Sequence, residues 1–160
     1  MPKLLVPVDG SRDSLASVEA AARRARQQSL ELHLLNVQPH LNRHIARFVP
    51  GAAVRAEQES RAGSVLDSAR ERALAAGVPA HTAVRVGSLP ETIAAYAREN
   101  AIDEIVVAAA RKTLLGRLFT GSVVNELIAA SPVPVTVVAG RQPSALQRFG
   151  LPAGVGVSLA

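Results

Sequence analysis

The chain has no cysteine and no tryptophan, and aromatic residues make up only 2% of it. Without cysteine, thiolate catalysis, disulfide bonds and cysteine-ligated zinc are excluded. Without rings among its basic residues, it lacks the stacking platforms that hold single-stranded nucleic acid. No apolar stretch approaches the roughly 20 residues that span a bilayer. The N-terminus also lacks the charged, apolar and small-residue regions of a secretory leader, so a soluble cytoplasmic chain is expected. Lysine is almost missing: 2 lysines stand against 16 arginines, with a net charge of +5. Arginine pairs best with planar anions such as carboxylate and phosphate. The arginines are scattered, with RRAR at 23–26 the only dense group. That spread speaks for an anionic small ligand or partner and against nucleic acid.

What the chain does have is aliphatic bulk. Its 160 residues are 48% hydrophobic, enough for one domain with a core of Val, Leu, Ile and Ala. The pattern alternates strand and helix. KLLVPV (3–8) reads as a strand whose Pro7 marks a strand end or an edge. Residues 12–28 carry Leu15, Val18, Ala22 and Ala25 at helical spacing, with Ser11 or Asp13 as cap. LELHLLNVQ (30–38) is the second strand, in which His33 is expected to be half-exposed. An irregular connection over 39–51 follows, long for a compact domain. His40 and His44 within it have i,i+4 spacing but no evident third ligand, and read as a surface pair.

A long helix is predicted over 52–76. Its stripe is Ala62, Val65, Leu66, Ala69, Ala73 and Ala76, with Gly77 just past its end. AHTAVRV (80–86) is the third strand. Ser88 and Glu91 then have the spacing of a capping box. DEIVVAAA (103–110) is apolar on both faces, as a central parallel strand is. A helix over 122–130 and a last strand over 133–138 complete a βαβαβαβαβ order. This predicts a parallel α/β sheet with helices on both faces. Residues 1–140 form the expected domain, and 141–160 a tail that is flexible or packed on a dimer partner.

In such a sheet, ligands collect beyond the carboxyl ends of the strands. Asp9-Gly10-Ser11 stops the first strand there, and the loop over 110–122 ends in TGSVVNEL. Gly121 permits close approach of backbone. Ser122 opens a helix whose N-terminal N–H groups favour an anion by about 0.3–1 kcal/mol. Arg111, Lys112 and Arg117 lie in the same loop. An ordinary helix cap with solvated basic side chains explains the same residues. No histidine accompanies Asp9, Asp13 or Ser122 to make a nucleophile–base set, so catalysis is not expected.

KLLVPVDGS, LHLLNV and GRLFTGSVVNELIAASPVPVTVV together resemble the universal stress protein family, over Lys3 to Val138. The resemblance implies a five-stranded parallel open sheet of order 3-2-1-4-5, of the adenine nucleotide alpha hydrolase-like type. In nucleotide-binding members ATP, with Mg²⁺, sits between strands one and four. The family motif is glycine, two residues, glycine, nine residues, then Gly-Ser or Gly-Thr. Counted back from Gly121-Ser122, its first two glycines fall on Ala108 and Arg111. The resemblance further implies contacts from Pro7, Val8 and Asp9, with Asp9 toward the ribose, and from Val37, whose backbone reads the adenine. Ala110 and Val123 complete the set beside Gly121 and Ser122.

A glycine in a phosphate loop supplies positive φ or lets phosphate touch backbone. Arginine at a left-handed position is disfavoured by roughly 1–2 kcal/mol, yet its guanidinium can itself pair with phosphate. Two readings stay open: a non-catalytic dimeric stress-response module with weakened or lost ATP binding, and an adenine-nucleotide sensor. A slow metal-assisted hydrolase ranks behind both. The resemblance also implies a homodimer through the last strand. Pro132 and Pro134 narrow the paired stretch to Val135, Thr136, Val137 and Val138.

Overall fold

A computed structural model describes residues 1–40, 47–109 and 121–139. Strand β1 (Lys3–Pro7) leads into α1 (Arg12–Gln28), β2 (Glu31–Gln38), α2 (Gly51–Ala75) and β3 (Ala80–Val86). Helix α3 (Leu89–Glu99), β4 (Glu104–Ala109), α4 (Gly121–Ala130) and β5 (Val135–Ala139) follow. The five strands form one parallel sheet of order β3-β2-β1-β4-β5, as expected. Pro7 therefore ends a central strand; it does not mark an edge. The last strand starts at Val135, two residues later than expected, because Pro132 and Pro134 have no N–H to give a ladder.

Each face of the sheet carries its own core. Leu4, Val6 and Val8 of β1 and its turn, with Leu32 and Leu34 of β2, pack against Val18, Ala22 and Ala25 of α1 and Leu66, Ala69 and Ala73 of α2. On the other face Leu5, Leu35 and Ile105 meet Ile93 and Tyr96 of α3 and Leu127 of α4. Alanine lines both helices of the first layer, so they sit close to the sheet without aromatic bulk.

Helix ends follow local chemistry. The Ser11 Oγ accepts from the Ser14 N–H at 3.1 Å, making Ser11 the cap of α1. Gly77, at φ +80°, reverses the chain after α2, and the Val78 N–H donates to the Ala73 carbonyl at 3.0 Å. The capping box at Ser88 and Glu91 does not form: Ser88 caps α3 with extended backbone and no side-chain hydrogen bond. Pro90, in the first turn, removes only the N2 N–H, which a capping box does not use, so the missing box has no explanation in the proline.

His33 also departs from expectation. It is 6% exposed, not half-exposed, because α3 covers this face of β2. Burial pushes its imidazole below the usual histidine range, opposed by its hydrogen bond to Glu31.

Candidate functional site

Strand order reverses between β1 and β4: β1 continues to β2 and β3 on one side, β4 to β5 on the other. In an open parallel sheet the crevice beyond this switch point is where ligands bind. The chain builds its end of β1 with care. The Val8 N–H donates to the Leu35 carbonyl at 2.8 Å, which extends the β1–β2 ladder by one step. The Val8 carbonyl is held at 2.8 Å by the Asn36 side-chain amide, and the Gln38 amide donates in turn to Asn36 Oδ1. Asn36 and Gln38 are both buried. The backbone just before Asp9 is thereby fixed by two buried side chains of β2.

Asp9 is half-buried, and its Oδ1 accepts from the Ser11 N–H at 2.8 Å. This folds the chain into an Asx turn and leaves Oδ2 without a partner among the described residues. Gly10 follows at φ +82°. The turn thus sets a carboxylate at the carboxyl end of β1, beside the switch point.

The topology brings most of the expected site residues to one edge of the sheet. Pro7 and Asp9 end β1, Val37 lies at the end of β2, and Ala108 lies near the end of β4. Gly121, Ser122 and Val123 open α4 above the same edge, Ser122 exposed and Val123 packed on the core. Val8, Val37 and Ala108 are 3%, 5% and 4% exposed, so their side chains belong to the protein interior. What Val37 and Ala108 can offer a ligand is backbone, whereas the N–H and carbonyl of Val8 are already engaged by Leu35 and Asn36. Ala110 and Arg111 lie outside the described residues, as does His44.

Asn36 and Gln38 are the site-shaping residues that sequence reasoning passed over. Their signal was two buried polar residues on one face of β2, in LLNVQ. A hollow of about 410 Å³ lies at the carboxyl end of β3, at the far edge of the sheet. His40, Arg85, Gly87, Ser88, Glu91 and Thr92 line it, and none of the expected nucleotide contacts does. The switch-point position and the polar clamp on Val8 make the β1–β4 crevice the better candidate.

An open parallel sheet with a built turn at its switch point defines an α/β ligand-binding fold of the doubly wound kind. The family model for the Universal stress protein family matches residues 1–139, and the chain belongs to that family. The Universal stress protein YxiE of Bacillus subtilis (strain 168) is 29% identical over 148 residues, covering 85% of this chain and 97% of its own. The crystal structure of a universal stress protein in complex with cAMP superposes with a TM-score of 0.68 at 26% identity. That match covers 88% of this chain and 98% of the other. A universal stress protein family protein from Arabidopsis thaliana with AMP bound has a TM-score of 0.65 at 16% identity. It covers 91% of this chain and 97% of its own; at that identity the likeness is one of fold.

Proposed function

We propose that this chain is a non-catalytic, dimeric stress-response module whose crevice takes an adenine nucleotide and holds a triphosphate only weakly. The observation that carries the reading is the β1–α1 turn. The Asn36 clamp on the Val8 carbonyl fixes the backbone, and the Asx turn holds Asp9, whose Oδ2 has no partner among the described residues, at the carboxyl end of β1. A carboxylate there suits a ribose hydroxyl, one of which even a cyclic nucleotide keeps. Likeness at 26% identity to a universal stress protein in complex with cAMP favours an adenine nucleotide as the ligand. The weak hold on a triphosphate rests on Ala108 and Arg111 at the two positions where the family motif has glycine. The non-catalytic part of the reading rests on the sequence, which places no histidine in the loops that carry Asp9 and Ser122 to complete a nucleophile–base set.

Thermal unfolding tests this directly, because a ligand that binds only the native state raises the melting temperature. AMP or cAMP at millimolar concentration is expected to raise it in the wild type, and ATP with Mg²⁺ to raise it less. The Asp9→Ala variant should lose the response to all three. Arg111→Gly should gain response to ATP. No shift with any nucleotide, in wild type and in Arg111→Gly alike, would remove the nucleotide reading and leave the protein contacts as the function.

A further inference from the structure

On the opposite side of the sheet from α1, strands β2 and β3 place three metal-binding side chain types together. His33 and His81 are register partners on these neighbouring parallel strands. Glu31 lies two residues before His33 and therefore projects from the same face. The potential ligand atoms of Glu31, His33 and His81 all lie within 4.8 Å of one another. The Nε2 atoms of His33 and His81 stand 2.8 Å and 3.3 Å from Glu31 Oε1, and the two imidazoles stack with centroids 4.9 Å apart. In a tetrahedral zinc site, ligand atoms about 2.1 Å from the metal lie about 3.4 Å from each other. The His81–Glu31 separation of 3.3 Å already meets that requirement, and the His33–Glu31 hydrogen bond of 2.8 Å opens by about 0.6 Å as a metal replaces its proton. The third closes by a small rotation of His81, whose side chain is 66% exposed and has room to move.

A further group orients the set. The Tyr96 hydroxyl of α3 lies 3.0 Å from His33 Nδ1, the nitrogen left over when Nε2 faces the cluster. A phenol donates or accepts. It therefore serves the imidazole whether Nε2 carries a proton for Glu31 or gives its lone pair to a metal, with Nδ1–H then donating to Tyr96. Histidine ligands of metals usually have such an outer partner. Tyr96 is buried and its ring is capped by the Arg85 guanidinium at 5.3 Å from the centroid. The other nearby cation, Lys3, has its ammonium on the Asn100 carbonyl at 3.1 Å.

We propose that Glu31, His33 and His81 form a binding site for a zinc-type transition-metal ion, with three protein ligands and a fourth position open to solvent beside the exposed His81. Two imidazoles and one carboxylate suit zinc, cobalt, nickel or copper, whereas calcium and magnesium take sets of oxygens. A bound ion ties edge strand β3 to β2 and, through His33 and Tyr96, to α3. The site is independent of the nucleotide crevice, which lies across β1.

The test uses the full chain, freed of metal with a chelator and titrated with zinc chloride against a chromophoric competitor. Uptake of one equivalent is expected, with a rise in melting temperature. Cobalt(II) in place of zinc should give the visible absorption of a four-coordinate site. His81→Ala, at an exposed position that leaves the core intact, should abolish the stoichiometric uptake, and Glu31→Gln should do the same. Tyr96→Phe should weaken binding by roughly 10–100-fold, the usual cost of losing an outer partner. His40→Ala should bind as the wild type does. Absence of stoichiometric uptake by the wild type, or uptake undiminished in His81→Ala, would overturn the assignment.

Discussion

Gly10 joins β1 to α1 at φ +82°, and a Cβ built there would come within 3.0 Å of Val65 Cγ2 on α2. Two separate penalties meet at this residue. The left-handed backbone costs an L-residue roughly 1–2 kcal/mol, and the contact forces Val65 to shift in a packed layer. Gly10→Ala should therefore lower the melting temperature by several degrees, at about 2–4 °C per kcal/mol for a chain of this size. Made in a Val65→Ala background, the same substitution should cost less, since only the backbone penalty remains. Equal costs in the two backgrounds, measured by urea unfolding, would show that the Val65 contact carries nothing. The turn was legible in the sequence because Asp-Gly-Ser after an apolar run has a local chemical meaning. The clamp by Asn36 was not, since the Val8 carbonyl that it reaches lies 28 residues away and only strand pairing brings it near.

At the scale of elements, α1 is fastened to the far half of the sheet by one ion pair. Arg24 donates through both terminal nitrogens to the two oxygens of Glu104 at the start of β4, at 2.6 and 2.7 Å. Thr136 of β5 donates to the same carboxylate. The Arg24 hydrogen bond holds the Glu104 carboxyl below the usual glutamate range, against burial and with help from Thr136. A lowered folded-state pKa means stability that is present above the ordinary value of 4.5 and lost as pH falls through the lowered one. Glu104→Gln is expected to cost about 1–3 kcal/mol at neutral pH. In acid, where the wild type also loses its carboxylate, the gap between the two proteins should narrow. Chemical unfolding at both pH values checks this; a gap that stays constant with pH would mean that packing, not charge, sets the cost. Strand and helix identities were readable from periodicity, and Gly77 marked the end of α2 correctly. The failures have separate sources. The Ser88–Glu91 spacing fits a capping box whose side-chain hydrogen bonds the structure does not form, and His33 was read without the helix that buries it. His81, 48 positions on in the chain, becomes its neighbour only through the β2–β3 register.

Among the described residues the sheet ends in two edge strands, β3 and β5, and they differ in character. The β3 edge mixes exposed Val84 and Val86 with His81 and Arg85, so charged and polar groups blunt it. The β5 edge, VTVVA, has no charge, and its Val137 is 45% exposed; Ile128 of α4 is 50% exposed as well. An apolar edge with unpaired N–H and C=O groups is stabilised by pairing with another strand. A second copy of β5 about a two-fold axis is the self-complementary solution. The proposed dimer thus continues the sheet across the molecule, while the crevice at the β1–β4 switch point stays one strand inside the interface. Val137→Lys would put an ammonium of each protomer beside the shared axis and cover the apolar edge with charge. Sedimentation should then find monomers, whereas Val84→Lys on the opposite edge should leave the dimer intact. A dimer unchanged by Val137→Lys but lost with Val84→Lys would move the interface to β3, and the partner copy would then flank the histidine cluster in place of the nucleotide crevice.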